Sequence, residues 1–186
     1  MKKGTLIILS GPSGVGKGTI REELFKNEAL NLAYSISMTT RQPRTNEEEG
    51  IHYFFVDESE FVEKIENNEL IEWAKFVGNY YGTPKVYVEK LLEEGKNVVL
   101  EIEVQGATQV KKMFPDALSI FIVPPSIEEL EKRIRKRRSE SEEIVIERLT
   151  KAKHELTLTH EYLYVVENNS LVQTVQQIEE IIKANI

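Results

Sequence analysis

The residues with the clearest chemistry lie in one glycine-rich stretch, SGPSGVGKGT, at positions 10–19. Gly11, four further residues, Gly16 and Lys17 have the spacing of a phosphate-binding loop. In such a loop, glycines allow backbone N–H groups to surround an anion, while the lysine reaches the outer phosphates. A tight turn with a solvated lysine is the alternative. The apolar run before the loop and the helical pattern after it favour phosphate binding.

One position departs from the usual pattern of such loops. Gly18 stands where a serine or threonine commonly follows the lysine and ligates magnesium, and the nearest hydroxyl belongs to Thr19. The loop therefore predicts a nucleoside triphosphate with Mg²⁺, but it leaves the protein ligand of the metal open. Thr19 and Glu101 are the candidates if phosphates and water do not hold the ion alone.

Two carboxylates follow a buried strand further along the chain. The run from Val98 to Leu100 is continuously apolar, and Glu101 and Glu103 come directly after it. In open parallel sheets, ligands bind outside the carboxyl ends of the strands, where the phosphate loop also lies. A solvated strand end is the alternative, but this location predicts that at least one of the two carboxylates belongs to the site.

Two groups of basic residues have a function that spacing alone does not decide. Arg41 and Arg44 lie in a polar loop with a proline between them, and six of the seven residues at 132–138 are basic. Taken alone, both groups are most simply solvated. The chain has a net charge of −7 and a phosphate loop, so a phosphate-binding role for the basic run is about as well supported as a solvated one.

The hydrophobic pattern predicts a three-layer α/β fold with a mainly parallel central sheet. Short apolar runs such as 6–9 and 117–123 have the character of strands covered on both faces, and amphipathic helices separate them. The 186 residues suffice for one substantial core. We therefore expect a single unit in which the phosphate loop joins the first strand to the first helix.

One part of the chain departs from this alternation and predicts a small antiparallel insertion at 37–83. Gly78-Asn79 is a hairpin signal inside it. Alternating apolar residues at 34–38 predict one strand that leads into the insertion. A helix should follow it, with Thr83 as N-cap and Pro84 as the first helical residue.

Composition excludes several classes of function. With 40% hydrophobic and 30% charged residues the chain is an ordinary globular protein, and no apolar run is long enough for a membrane span. The net charge of −7 argues against broad nucleic-acid binding. The sequence has no cysteine, which fits a reducing compartment, and we expect a cytoplasmic protein. Its three histidines show no ligand spacing, and the oligomeric state is left open.

Seven segments, in order, resemble the guanylate kinase family over nearly the whole chain: LSGPSGVGKGT, SISMTTRQPR, GIHYFF, LIEWAKFVGNYYGTP, LEIEVQGA, FIVPPSIEELEKRI and SESEEIVIERL. Many proteins share the first segment, but TTRQPR together with GNYYGT is specific to the monophosphate-binding region of that family. The resemblance implies transfer of the terminal phosphate of ATP to GMP, giving ADP and GDP. It also implies a core at 1–36, 84–125 and 149–186, a GMP-binding insertion at 37–83 and a helical lid at 126–148.

The same resemblance implies roles for individual residues. The guanine base would contact Ser37, Glu72, Thr83 and Glu103. The phosphate of GMP would contact Arg41, Arg44, Tyr53 and Tyr81. The phosphates of ATP would be held by Ser13, Gly14, Val15, Gly16, Lys17, Gly18 and Thr19. The groups that act on the transferred phosphoryl group would be Lys17, Arg41, Arg133, Arg137 and Arg148.

Elementary chemistry supports these roles independently. Guanine presents N1–H and an exocyclic amine as donors, which carboxylates such as Glu72 and Glu103 match, whereas adenine presents an acceptor at N1. Phosphoryl transfer requires positioning and charge neutralisation more than an acid–base residue. The chain departs from the family at three places. Gly18 lacks the hydroxyl, Glu101 and Glu103 replace aspartates of many members, and Arg138 replaces a glycine after the lid arginine.

Two other functions compete with this interpretation. Guanylate-kinase-like domains also serve as binding modules for phosphopeptides, but these generally have degraded phosphate loops, whereas this chain keeps Lys17, Arg41 and Arg44. A kinase for another small phosphate acceptor is the second alternative. Glu72 and the GNYYGT segment argue against it.

Overall fold

The computed structural model of the protein describes residues 2–76, 78–137 and 141–186. Its strands are β1 (Leu6–Ser10), β2 (Leu32–Tyr34), β3 (Met38–Thr39), β4 (Phe54–Phe55), β5 (Leu70–Phe76), β6 (Asn79–Pro84), β7 (Asn97–Glu101), β8 (Leu118–Val123) and β9 (Tyr164–Glu167). Its α-helices are α1 (Lys17–Leu24), α2 (Glu58–Glu66), α3 (Lys85–Glu93), α4 (Val104–Met113), α5 (Ile127–Arg137), α6 (Glu142–Leu156) and α7 (Leu171–Asn185).

The central sheet has the order β2-β7-β1-β8-β9, and all of its neighbouring strands are parallel. Strand β1 lies in the middle and is buried on both faces, because its apolar side chains alternate between two separate clusters. Ile7 and Leu9 pack toward α1, α5, α6 and α7, while Leu6 and Ile8 pack toward α3 and α4. The predicted three-layer α/β fold is therefore confirmed.

A second, mixed sheet has the order β4-β3-β6-β5. Strand β6 pairs antiparallel with both β3 and β5, whereas β3 and β4 run parallel. Met38 and Leu70 of this sheet share a small core with Phe61 of α2. The predicted hairpin joins β5 to β6, and Gly78 has the positive φ of 77° that favours glycine in such a turn.

Two local predictions were wrong. The single strand expected at 34–38 is divided, because β2 ends at Tyr34 in the central sheet and β3 begins at Met38 in the second sheet. Between them the Ser35 N–H still bonds to the central sheet, so the alternation continues while the chain passes from one sheet to the other. The helix expected after Thr83 as its N-cap begins at Lys85, with Pro84 as N-cap.

Among the described residues, no helix is both long enough and apolar enough to span a membrane. The region predicted to form a helical lid consists of α5, which ends at Arg137, and the start of α6 at Glu142. The side chain of Arg137 and all of Arg138 lie outside the described part of the chain. The departure from the family at Arg138 therefore lies outside the described residues.

Candidate active site

The glycine-rich loop connects the end of β1 to the start of α1. Three of its glycines have positive φ angles, 147° at Gly11, 86° at Gly14 and 104° at Gly16. A Cβ atom at Gly11 would lie only 2.4 Å from the carbonyl oxygen of Ile122 on β8. These positions therefore require glycine, and the resulting curvature brings the loop to the amino end of α1, where N–H groups are available to an anion.

Lys17 is the first residue of α1, and its side chain turns back over the loop. Its Nζ donates hydrogen bonds to the carbonyl oxygens of Gly11 at 2.6 Å and Pro12 at 3.3 Å. Burial lowers the pKa of the Lys17 ammonium, while the nearby charges of Glu101 and Glu103 oppose that effect. The lysine is thus partly desolvated without a direct carboxylate partner among these bonds, which suits it to an incoming anion.

A cavity of about 290 Å³ separates this loop from the end of β7. Ser13, Gly16 and Lys17 line one side of it, and Glu101 and Glu103 line the other. The sequence prediction that the carboxylates after β7 lie beside the phosphate loop is supported by this geometry. A phosphate bound by the loop would therefore face Glu101 and Glu103 across this cavity.

Thr19 and Glu101 are the described residues that the sequence names as candidate ligands for magnesium. An added Cβ at Gly18 would lie 3.7 Å from Glu101 Oε1, and Glu101 itself pairs with Arg21 at 3.2 Å. Thr19 is exposed. In the part of the chain that the structure describes, no group of three or more His, Cys, Asp or Glu side chains is placed to hold a metal.

A second cavity, of about 280 Å³, lies between the second sheet and the end of β7. Five of the eight residues predicted to bind the acceptor line it: Ser37, Tyr53, Glu72, Tyr81 and Glu103. Tyr34, Glu101 and Gly106 also line it, and nothing in the sequence reasoning had placed Tyr34 or Gly106 there. We refer to this cavity as the acceptor pocket.

Glu72 is the buried acid of the acceptor pocket, with only 8% of its surface exposed. A β-bulge in β5 at Ile71 and Glu72, which together oppose Thr83, turns both of these side chains inward. The Thr83 hydroxyl donates a 2.7 Å hydrogen bond to Glu72 Oε1, which explains why Thr83 does not cap the following helix. Burial raises the pKa of the Glu72 carboxyl to about 7, although the Thr83 hydrogen bond acts in the opposite direction.

Glu103, the other acid of the acceptor pocket, is exposed and paired. It is the N-cap residue of α4, and its Oε2 accepts a 2.5 Å hydrogen bond from Lys151 of α6. Lys151 also lies 4.0 Å from the buried Glu155, whose pKa is raised by burial. No sequence pattern predicts the role of Lys151, because its contact with Glu103 joins positions 48 residues apart.

The two arginines of the insertion share one internal carboxylate. A terminal nitrogen of Arg41 donates to both oxygens of Glu47, at 2.8 and 2.9 Å, and the backbone N–H of Arg44 donates to the same group at 2.9 Å. The Arg41 guanidinium also lies 5.4 Å from the ring centre of Tyr53. Arg41 is thereby placed beside Tyr53, although neither Arg41 nor Arg44 itself lines the acceptor pocket.

One of the arginines predicted for the lid and core, Arg133, lies beside the phosphate loop. Arg133 donates to Glu129 at 3.0 Å and to the carbonyl oxygen of Asn168 at 3.1 Å. Arg133, Lys136 and Asn168 line a third cavity, of about 340 Å³, together with the loop. Arg148 lies on α6, one helical turn before Lys151.

Asn168 is a site residue that sequence reasoning missed. Its side-chain N–H₂ donates a 2.8 Å hydrogen bond to the backbone carbonyl oxygen of Val15. Its backbone carbonyl oxygen accepts a hydrogen bond from Arg133. The signal that could have found it is its place directly after β9, since ligands bind at the carboxyl ends of parallel strands. It links the phosphate loop to the basic helix α5.

The fold and the site together define a P-loop protein of the nucleotide kinase type, in which a phosphate loop lies between two pockets. A family model described as guanylate kinase matches residues 3–185. Guanylate kinases of Bacillus anthracis and Bacillus subtilis (strain 168) are 55% and 50% identical to this chain, over 97% and 98% of it and 88% and 90% of their own lengths. The chain belongs to the guanylate kinase family.

Solved structures agree with this assignment. Guanylate kinase from Anaplasma phagocytophilum matches with a TM-score of 0.77 and 35% identity, covering 98% of this chain and 86% of that one. A shikimate kinase from Bacteroides thetaiotaomicron matches with a TM-score of 0.53 at 14% identity, a likeness of fold alone. The family suggested by the seven sequence segments is therefore confirmed.

Proposed function

We propose that the protein transfers the terminal phosphate of ATP to GMP, giving ADP and GDP, and that dGMP is also an acceptor. The observation that carries this proposal is the placement of Glu72, a buried carboxylate that lines the acceptor pocket beside the phosphate loop. A buried acceptor group must meet donors, and guanine supplies two adjacent donors at N1 and the exocyclic amine. Adenine would present an acceptor to the same carboxylate and leave it unsatisfied.

The remaining acceptor contacts follow from the same pocket. Ser37, Thr83 and Glu103 are proposed to complete the recognition of the base. Tyr53, Tyr81, Arg41 and Arg44 are proposed to bind the phosphate of GMP. The bond between Arg41 and Glu47 supports this role, because it shows that the guanidinium is oriented toward an anion in the absence of substrate. A phosphate would offer Arg41 a more highly charged partner than a carboxylate.

On the donor side, the backbone at 13–19 and the Lys17 ammonium are proposed to hold the phosphates of ATP. Arg133, Arg137 and Arg148 are proposed to gather on the transferred phosphoryl group. The negative charge that spreads over its oxygens requires neutralisation rather than proton transfer. Magnesium, bound with ATP, would supply further positive charge, and Thr19 or Glu101 could contribute a protein ligand.

We further propose that the core (1–36, 84–125 and 149–186), the insertion (37–83) and the lid (126–148) move relative to one another. Arg41 and Arg133 belong to different parts and must reach one phosphate, so closure would bring them together and exclude water. GMP with a non-hydrolysable ATP analogue should reduce the radius of gyration and protect 37–83 from hydrogen exchange. An unchanged radius and unchanged exchange would mean that the site is preassembled.

One assay tests the proposed reaction. ADP formation from ATP and magnesium is measured with GMP, dGMP, AMP, UMP and CMP as acceptors, and with no acceptor. GMP should be the preferred acceptor. Faster turnover with another monophosphate would favour a kinase of different specificity, and absence of turnover with all five would favour a binding module. Both nucleotides are cytoplasmic metabolites, so we propose a cytoplasmic location.

A further inference from the structure

We infer that the face of α4 formed by Gly106 and Gln109 is a specificity-determining element of the acceptor pocket. This face belongs to the core, yet it fixes the position of Glu72 on the second sheet. The inference rests on the proposed function, because it assigns Glu72 to the acceptor base. Gly106 and Gln109 are three residues apart, so they lie on the same side of the helix.

Gln109 holds the backbone next to Glu72. Its side-chain carbonyl accepts a 3.1 Å hydrogen bond from the Trp73 N–H, and its side-chain N–H₂ donates a 2.9 Å hydrogen bond to the Trp73 carbonyl. Strand β5 is an edge strand of the second sheet, and its outer backbone groups have no strand partner there. The amide of Gln109 takes the place of that partner, because it offers both a donor and an acceptor. It therefore fixes the position and the orientation of β5 at Trp73 relative to α4.

Gly106 sets the position of the carboxylate itself. A Cβ atom at this residue would lie 2.7 Å from Glu72 Oε2 and 3.3 Å from its carboxyl carbon. Glu72 therefore rests directly against the first turn of α4, where an added Cβ would force its carboxylate to shift. The amino end of a helix also favours negative charge, which makes this turn a suitable surface for a carboxylate that must ionise to bind guanine.

Glu72 is thus constrained from three directions. Thr83 holds one carboxylate oxygen, Gly106 limits the other, and Gln109 fixes the adjoining backbone at Trp73. A carboxylate held in this way can accept both N1–H and the exocyclic amine of guanine at once. If its position is relaxed or shifted, one of the two hydrogen bonds is lost first, and discrimination against hypoxanthine falls, because hypoxanthine lacks only the amine.

The experiment compares GMP with IMP as acceptors for three variants. Gln109→Met removes both hydrogen bonds to Trp73 at similar volume, and Gly106→Ala places a methyl group against Glu72. Lys112→Met, at an exposed position about one turn beyond Gln109 in the same helix, is the matched control. For each protein we measure kcat/KM for GMP and for IMP, KM for ATP, and the midpoint of thermal unfolding.

Both test variants should lower the ratio of kcat/KM for GMP over IMP by about tenfold, the expected effect of losing one hydrogen bond to a charged group. KM for ATP should stay within about twofold, and Lys112→Met should match the wild type on every measure. The acid limb of kcat/KM for GMP should also move to lower pH in Gln109→Met, because a loosened strand exposes Glu72 to water.

A lowered unfolding midpoint with an unchanged GMP-to-IMP ratio in Gln109→Met would show that the contact is only structural and would overturn the inference. If that variant does not fold, Gly106→Ala decides by the same ratio. Failure of the proposed function is distinguishable, because it would be visible in the wild type as no preference for GMP over AMP.

Discussion

The phosphate loop and the acceptor pocket are built in opposite ways. The loop is one continuous stretch at 10–19, and its shape is set by glycines whose φ angles are required locally. The acceptor pocket is assembled from the second sheet, the ends of β2 and β7 and the first turn of α4, and its residues are up to 72 positions apart, from Tyr34 to Gly106. A local motif is therefore sufficient to find the first site, whereas the second site depends on long-range packing.

Burial also acts on the two sites with opposite sign. It lowers the pKa of Lys17 and raises the pKa of Glu72, because in each case a low-dielectric environment disfavours the charged form. Each site thus holds a charged group that is poorly solvated before its ligand arrives. A phosphate at Lys17 and two N–H donors at Glu72 would supply the interactions that water no longer provides.

The largest effect is expected at the phosphate loop. Lys17→Met should lower kcat by about 10²–10³-fold or more, because a preorganised charge on the reacting phosphates is lost. The midpoint of thermal unfolding without ligand should be nearly unchanged, since the lysine is partly desolvated and its hydrogen bonds go only to loop carbonyls. Steady-state kinetics and calorimetry measure the two quantities.

The control for this variant is Lys26→Met, which removes an exposed lysine just beyond the end of the same helix. It should have wild-type activity. If Lys17→Met fails to fold, the lysine has a structural role, and the prediction that it is needed for activity rather than for folding is wrong.

The second prediction concerns Glu72, where function and stability should change in opposite directions. Glu72→Gln keeps the shape of the side chain and can still accept from Thr83, but it offers guanine an N–H₂ group in place of an oxygen. We expect kcat/KM for GMP to fall by an amount corresponding to about 2–4 kcal/mol. An unchanged value would exclude Glu72 from recognition of the base.

Stability of the same variant follows from linkage. The pKa of Glu72 is raised from 4.5 to about 7 in the folded state, so the folded protein binds this proton more tightly than the unfolded chain does. The stability that proton binding contributes is fully present below pH 4.5 and is lost as the pH rises through 7. A shift of this size corresponds to about 3 kcal/mol. Glu72→Gln should therefore be more stable than the wild type at pH 8, and the difference should disappear near pH 4.5.

The third prediction is an acid limb in the activity toward GMP. Below pH 7, kcat/KM for GMP should fall by about tenfold per pH unit as Glu72 in the free enzyme becomes protonated. The phosphate of GMP titrates near pH 6, so a second, lower limb is expected from the substrate. In Glu72→Gln the limb near pH 7 should be absent and only the substrate limb should remain. Persistence of both limbs would assign the higher one to another group.

The sequence predicted the fold class and the position of the phosphate loop because both depend on local pattern. It also named five residues that line the acceptor pocket, but through family resemblance, since only Glu103 was placed near the site by its position after a strand. Gly106, Gln109, Lys151 and Asn168 were missed because each acts through a partner distant in sequence. The strand expected at 34–38 failed because alternation does not reveal that a chain changes sheets.

The roles of the predicted site residues stay predictions, since the geometry brings the side chains together without a ligand. The two acids of the acceptor pocket show why geometry matters here. Both are glutamates with a hydrophobic residue on either side in the sequence, and both line the same cavity. Only the structure separates them, with Glu72 buried and bonded to a hydroxyl, and Glu103 exposed and paired with Lys151.

This difference leads to the smallest predicted effect, at Lys151. The side chains of Lys151 and Glu103 are 50% and 55% exposed, so water screens their attraction and the pair contributes below about 1 kcal/mol. Lys151 donates a hydrogen bond to Glu103 Oε2, so it orients a carboxylate that lines the acceptor pocket. Lys151→Met should raise KM for GMP by about two- to fivefold, which is the equivalent of that energy, with kcat nearly unchanged.

The exposed Lys153 on the same helix supplies the control, and Lys153→Met should leave KM unchanged. An increase as large as that of Glu72→Gln would mean that the exposed pair carries as much recognition as the buried acid, and burial would then not be what distinguishes the two glutamates.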